Sequence, residues 1–151
     1  EGQQYDMDFE LRNDVAESEY IEMIRLKTSV LLACSMKIGA ILAGAPSEDA
    51  NNLYRFGELI GLAFQLQDDY LDVYGDSKVF GKAIGGDIAS NKKTFMLITA
   101  LYNAIGIDVL AQEKINFYFE ESKKYLAAVP LSDEIKKELT DYVARMMKRN
   151  Y

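Results

Sequence analysis

Apolar residues recur at helical spacing along almost the whole chain, and the period-two alternation that marks β-strands is scarce. The two prolines, Pro46 and Pro130, stand where helices are expected to begin or end. Hydrophobic residues make up 49% of the 151 residues, which is enough for one packed core, and the length is too short for two domains. The sequence therefore predicts one all-α domain over residues 1–151.

Capping residues and glycines set the expected helix boundaries. Residues 1–17 are polar and contain turn formers, which favours a loop. Ser18 and Ser47 are expected N-caps, and a glycine-containing loop is expected over 75–91. The expected helices run from Ser18 to about Leu42, from Ser47 to Val73 or Tyr74, and over 92–104, 108–127 and 132–149.

The most membrane-like stretch covers residues 29–45. It is short for a transmembrane span of roughly 20 residues, and Lys37 lies near its middle. We therefore expect a buried core helix and no transmembrane segment. No signal peptide is visible.

Charge and residue types exclude several functional classes. The net charge of −7 argues against nucleic acid as a partner, although local lysines can still bind a small diphosphate. The absence of histidine excludes catalytic triads and zinc–histidine sites. Cys34 is the single cysteine, so no internal disulfide can form, and a reducing cytoplasmic location is the default expectation.

Three carboxylates are clustered in the second half of the long predicted helix. Asp68, Asp69 and Asp72 share one helical face, and Gln65 lies on that face one turn earlier. Like charges at this spacing destabilise a helix, and a hard cation such as Mg²⁺ would offset their repulsion. A solvated acidic face is the alternative interpretation. The apolar flanking residues count against it: Phe64, Leu66, Tyr70, Leu71 and Val73.

The glycine-containing loop after these carboxylates carries Lys78 and Lys82, and Lys92 and Lys93 follow it. Backbone N–H groups and ammonium groups of such a loop can approach a phosphate. The lysines near the next helix start add positive charge where the helix dipole already favours anions. By itself this pattern is weakly specific, and it is not a Walker loop.

A Lys27-Thr28 pair is incidental in most helices, but here it accompanies the other two clusters. Together the three clusters resemble the trans-prenyltransferases, the family of farnesyl and geranylgeranyl diphosphate synthases. The matching segments are Gly2-Gln3 with Asp6, Tyr20 ahead of Lys27-Thr28, Phe64-Gln65-x-x-Asp68-Asp69-x-x-Asp72, Gly81-Lys82-x-x-Gly85-x-Asp87-Ile88, and Lys92-x-Thr94. Their order and spacing agree over roughly the first hundred residues.

The resemblance implies a magnesium site and a metal-dependent prenyl transfer. Asp68 would be the direct ligand of a Mg²⁺ ion that bridges the allylic diphosphate, with Asp69 and Asp72 holding the waters of the ion. The reaction would condense an allylic diphosphate with isopentenyl diphosphate and release pyrophosphate. This reaction is physically consistent with the residues, because cations stabilise the leaving diphosphate and a closed apolar helical cavity shields the carbocation from water.

The resemblance also implies roles for residues outside the acidic cluster. Lys27, Lys82 and Lys92 would contact the departing diphosphate. Dipoles of Lys27, Thr28 and Gln65 would lie near the allylic cation. Phe64 would wall the isopentenyl pocket, and the basic tail Lys148-Arg149 would close over the site.

The chain departs from the family in carrying one aspartate-rich motif where the family has two. Because the first residue is Glu1, we expect the C-terminal half of an isoprenoid-synthase helical bundle, inactive alone and homodimeric in the family's manner. A non-catalytic regulatory or structural subunit of a prenyl synthase is the main alternative. A related terpene cyclase and a plain helical scaffold are the others.

Overall fold

The computed structural model describes residues 1–75, 85–102 and 106–148. Within these ranges the chain is all-α, which confirms the expected fold class, and no strand occurs among them. The α-helices are α1 (Gly2–Glu10), α2 (Glu17–Ile24), α3 (Val30–Leu42), α4 (Ser47–Tyr74), α5 (Gly86–Ala89), α6 (Phe95–Tyr102), α7 (Ile107–Ala128) and α8 (Asp133–Lys148). A single π-helical turn, the π turn (Arg25–Ser29), joins α2 to α3.

Helix α4 is the central element, since it packs along both α3 and α7 and also contacts the π turn. It runs from Ser47 to Tyr74 as predicted, but its N-cap is Pro46, so the expectation of Ser47 as the N-cap is wrong. The main core cluster joins α4 to α2, α6 and α7, and it includes Tyr20, Ile24, Leu66, Phe95 and Ile115. The part of α4 that carries the predicted acidic motif is therefore partly covered by other helices.

The expected loop over residues 1–17 is wrong, because α1 occupies Gly2–Glu10. Phe9 is buried in the core, and Gln4 donates a hydrogen bond to Asp8 one turn later, at 2.8 Å. A Cβ atom on Gly2 would lie 2.3 Å from the backbone nitrogen of Lys27, so α1 starts against the π turn. Tertiary packing stabilises a helix that local polarity did not favour.

The start and course of the next helix also differ from the expectation. Its N-cap is Ala16, not Ser18, and the Glu19 carboxylate accepts a hydrogen bond from the Ala16 N–H at 3.0 Å. The expected continuous helix to Leu42 is interrupted by the π turn, where the Val30 N–H bonds to the Arg25 carbonyl five residues back. Such turns are rare and frequently occur at functional sites.

The prediction of a buried core helix over 29–45 is wrong for much of its surface. Leu31, Ile38 and Leu42 are 74%, 56% and 84% exposed, while Ala33 and Ala40 face the interior. The apolar residues of α3 therefore lie on two faces: one face packs on α4, and the other is exposed in this chain. Among the described helices, none is both long and apolar enough to cross a membrane.

The last three predicted helices are present with small boundary shifts. Helices α7 and α8 agree with the expected ranges to within one or two residues. The helix expected over 92–104 begins three residues later, at Phe95, because residues 92–94 form the connection from α5. Positions 103 and 104 of that expected helix lie outside the described residues.

Glycines on α4 allow the π turn and α3 to approach closely. A Cβ atom on Gly61 would lie 2.5 Å from Ser29 Cα, and one on Gly57 would lie 3.0 Å from Ala33 Cα. Beside this contact the buried Glu58 carboxylate is paired with Arg25, at 3.1 Å, and with Arg55. Two guanidinium groups compensate the cost of burying that charge and fix α4 against the π turn.

We expect Gly61→Ala to lower the free energy of unfolding by about 1–3 kcal/mol, because the added methyl group meets backbone that cannot move aside. Gly39→Ala is the matched control, since a Cβ atom there meets nothing within 4 Å. The control should raise stability by about 0.5–1 kcal/mol through helix propensity. Urea unfolding measures both, and equal stability of the two variants would contradict the close approach.

Candidate active site

The centre of the site is the Asp69 carboxylate on α4, which is 4% exposed. Tyr20 on α2 donates its hydroxyl to Asp69 Oδ2, and Gln65 Nε2 donates to Oδ1 at 3.1 Å. The Thr28 hydroxyl in the π turn donates to Gln65 Oε1 at 3.0 Å. One hydrogen-bonded chain thus runs from α2 through Asp69 and Gln65 to the π turn.

Burial dominates the electrostatics of this chain. Desolvation raises the pKa of the Asp69 carboxyl to about 6, although the bonds from Tyr20 and Gln65 partly oppose the shift. Burial and the nearby Asp69 charge raise the pKa of the Tyr20 phenol well above its ordinary value, so Tyr20 stays a donor at neutral pH. Folding raises the pKa of the Asp69 carboxyl, so ionising this group costs free energy of folding. The loss of stability therefore develops as pH rises from about 4 to 6 and remains at higher pH.

The Lys27-Thr28 pair lies in the π turn. Lys27 Nζ contacts Asp6 Oδ2 of α1 at 2.5 Å, and the Asp6 residue is 8% exposed. The irregular turn therefore brings two residues predicted for the site, Lys27 and Thr28, into bonds with α1 and α4 respectively.

Asp72 connects α4 to Gly85 and to α5, a short helix that lies within the range 75–91 expected to be a loop. Its Oδ2 atom accepts the Asp87 N–H at 3.1 Å, and its carbonyl accepts the Gly85 N–H at 2.7 Å. Asp87 in turn pairs with Lys92, whose Nζ lies 2.8 Å from Oδ1. The hydrogen bond that Lys92 donates to the Asp87 carboxylate raises the pKa of Lys92, which stays cationic at neutral pH.

Several of these groups line a cavity of about 30 Å³, the site cavity. Its polar lining includes three lysines and three carboxylates from α1, the π turn, α4 and the α5–α6 region. They are Lys27, Lys92, Lys93, Asp6, Asp69 and Asp87. The volume is about that of a single water, so the ion pairs close the cavity around very little free space. A larger anionic ligand would have to displace carboxylates from their lysines.

Five of the sequence-predicted site residues converge here. Lys27, Gln65, Asp69 and Lys92 line the site cavity, and Thr28 is bonded to Gln65. Lys82 and its Gly81 neighbour lie outside the described residues, as do the side chain of Lys148 and all of Arg149.

Phe64, Asp68 and Asp72 lie on α4 near the cavity without lining it. Phe64 and Asp68 are partly buried, and Asp72 is 8% exposed. Over residues 1–75, 85–102 and 106–148, no group of three or more carboxylate or thiol side chains is arranged to hold a metal ion. Both oxygens of Asp69 instead accept protein hydrogen bonds. The predicted metal roles of Asp68, Asp69 and Asp72 stay predictions.

The sequence assigned no individual role to three residues of the site, and to a fourth, Lys93, only a general positive charge that favours anions. Asp6, Tyr20 and Asp87 stood in the segments that carry the resemblance, and the structure shows that they bind Lys27, Asp69 and Lys92. The sequence predicts only that Lys93 adds positive charge near a helix start, whereas in the structure Lys93 is 5% exposed and lines the cavity. Only tertiary contacts reveal these partners, since the pairs are separated by 5 to 49 residues.

Comparison with known proteins places this arrangement in a family. The polyprenyl synthetase family model matches residues 1–128, which include every residue that lines the site cavity. The chain belongs to the polyprenyl synthetase family.

Individual relatives agree with the family match. A geranylgeranyl diphosphate synthase of Methanosarcina mazei is 46% identical over 112 residues, covering 74% of this chain and 35% of that protein. A geranylgeranyl pyrophosphate synthase of Geoglobus acetivorans is 36% identical over 151 residues, covering 99% of this chain and 47% of that protein.

Solved structures give the same result for the fold. The crystal structure of a geranylgeranyl pyrophosphate synthase superposes with a TM-score of 0.92 at 35% identity, covering 99% of this chain and 57% of that chain. The Geoglobus acetivorans enzyme superposes with a TM-score of 0.84 at 32% identity, covering 97% and 52%. This chain spans about a third to just over half the length of these proteins.

We expect Tyr20→Phe to lower the free energy of unfolding by about 1–3 kcal/mol at pH 7, because the buried Asp69 carboxylate loses a donor. Tyr118→Phe is the matched control, since its partly buried hydroxyl makes no hydrogen bond within the described ranges. At pH 4 the Tyr20→Phe effect should shrink, because Asp69 is then protonated. Denaturant unfolding at both pH values measures this, and equal losses for the two variants would contradict the account.

Proposed function

We propose that the protein carrying this chain condenses an allylic diphosphate with isopentenyl diphosphate, giving a longer trans-polyprenyl diphosphate and pyrophosphate. The observation that carries the proposal is the meeting of Lys27, Lys92 and the Asp69 carboxylate of α4 at one cavity. Ionising a diphosphate needs positive charge at the departing oxygens, and a scaffold that keeps water from the carbocation. The names of the relatives support the same reaction class.

Each residue has a proposed role in that reaction. Lys27 and Lys92 contact the leaving diphosphate, and Lys82 approaches it from the glycine-containing loop. Thr28 and Gln65 present oxygen dipoles to the allylic cation. Their mutual hydrogen bond supports this role, because it fixes the direction of the Gln65 amide. Phe64 walls the isopentenyl pocket.

We propose Mg²⁺ as the cofactor, held by Asp68 with the help of Asp69 and Asp72. The donor chemistry fits, because hard cations take carboxylate oxygens and keep several waters and phosphate oxygens as ligands. Bound Mg²⁺ would neutralise charge on the diphosphate. The burial of Asp69 and Asp72 supports a role in orienting Asp68 and its surroundings.

We propose that the protein is a homodimer that uses the exposed face of α3. Leu31, Ile38, Ile41 and Leu42 are each more than half exposed, and α3 carries one charged residue, Lys37. An apolar face of this kind marks a protein contact, and a second copy of α3 offers a matching surface. Cys34, a free thiol on the same helix, supports a reducing cytoplasmic location.

The activity is tested with a chimera in which this chain replaces the aligned 151 residues of the Geoglobus acetivorans synthase. We expect the chimera to elongate an allylic diphosphate in the presence of Mg²⁺, with products identified by mass spectrometry. Asp68→Asn should cut turnover about 100-fold or more, because it removes charge at the diphosphate. Asp133→Asn, on the exposed start of α8, should leave turnover unchanged.

A folded chimera that forms no prenyl product would contradict the proposed reaction and favour a regulatory or structural subunit. Near-normal turnover of the Asp68→Asn chimera would contradict the metal role of Asp68 alone.

The dimer is tested by measuring molar mass by light scattering. We expect the chain to run at twice its 17.1 kDa mass, and Ile38→Lys combined with Leu42→Lys to give a monomer. Ile135→Lys on α8, also an exposed apolar position, is the control and should stay dimeric. A monomeric unmodified chain, or a dimeric double variant, would contradict the use of α3.

A further inference from the structure

Lys93 is a buried cation of the site cavity that the proposed mechanism does not use. The residue is 5% exposed and lines the cavity beside Lys27 and Lys92. Its Nζ atom donates to the Asn91 carbonyl at 3.2 Å and to Asn91 Oδ1 at 2.7 Å. An ammonium group has three N–H donors, so these bonds leave one for another partner.

The partners of Lys93 differ in kind from those of its neighbours. Lys27 is paired with Asp6, and Lys92 is paired with Asp87. Lys93 bonds only to neutral oxygens, and no carboxylate of the described ranges lies within ion-pair distance of its Nζ. A buried charge without a counter-ion is costly, which makes an anionic partner at this position favourable.

The backbone around Asn91 holds Lys93 in place. Asn91 adopts φ 55°, a left-handed conformation in which asparagine is enriched among non-glycine residues. Its side-chain Nδ2 donates to the Glu10 carbonyl at 2.7 Å, at the end of α1. Asn91 is thus fixed from one side while both of its oxygens accept from Lys93. Little conformational freedom remains for Lys93 to lose on binding a ligand.

We propose that Lys93 is a binding residue for the diphosphate group in the site cavity. This inference rests on the proposed function and adds a contact to it. Lys27 and Lys92 must each exchange a carboxylate for a phosphate oxygen, whereas Lys93 keeps its bonds to Asn91 and donates its third N–H. A charge-assisted hydrogen bond in a buried site is among the stronger ones. Lys93 therefore contributes to affinity for the diphosphate group, whether it is free or attached to a prenyl chain.

The test is calorimetric titration of the 151-residue chain with inorganic pyrophosphate in metal-free buffer. Lys93→Gln keeps an N–H donor for Asn91 but removes the charge, and we expect it to raise the Kd about tenfold or more. Lys93→Arg should retain most of the affinity. Lys124→Gln, an exposed lysine on α7, is the matched control and should leave the Kd unchanged. A second titration with a non-ionisable prenyl thiodiphosphate separates the bound substrate from the released product.

The outcomes separate Lys93 from the rest of the site. Weaker binding of either ligand by Lys93→Gln supports the proposal and shows which one Lys93 contacts. Unchanged affinity of Lys93→Gln for both ligands overturns it, leaving Lys93 a structural clamp on Asn91 and the proposed function intact. An unmodified chain that binds neither ligand overturns the proposal for Lys93, whereas the proposed function is judged by product formation in the chimera with Mg²⁺.

If Lys93→Gln does not fold, the ¹³C NMR signal of Lys93 Cε in the unmodified chain decides. A shift of that signal on addition of pyrophosphate supports the contact, and an unmoved signal overturns it.

Discussion

The buried carboxylate of Asp69 is the interaction on which the site depends. A charge at this depth is tolerated only if its oxygens are hydrogen-bonded, and here α2 supplies Tyr20 while α4 itself supplies Gln65. Through Gln65 the constraint extends to Thr28 in the π turn. The positions of three helical segments are thus coupled to one acid, and Lys27 is placed by the same turn.

Close packing near Asp69 holds the irregular π turn in place. Gly57 and Gly61 let α4 approach the π turn and the start of α3. The buried Glu58 of α4 is also paired with Arg25 of the π turn. A regular helix through residues 25–29 would turn Lys27 and Thr28 to other directions, because a π turn adds one residue to the backbone ladder. Close packing therefore maintains a backbone irregularity that orients two residues of the site.

The sequence predicted the all-α class and the long α4 from helical periodicity, which is a local property, whereas the grouping of Lys27, Gln65, Asp69 and Lys92 followed only from the family resemblance. It did not predict α1, which packs against both α2 and the π turn. It also assigned all the apolar residues of α3 to the core, since hydrophobicity alone does not show which of them are buried and which are exposed in this chain. The π turn and the role of Tyr20 had no local signal, because both arise from contacts distant in sequence.

The direct test of this account is the titration of the Asp69 carboxyl, followed by ¹³C NMR in the metal-free chain. Burial predicts a pKa of about 6, and Tyr20→Phe should move it higher, because the hydroxyl stabilises the ionised form. A pKa near 4 in the unmodified chain, or no change in Tyr20→Phe, would contradict a buried acid held by α2.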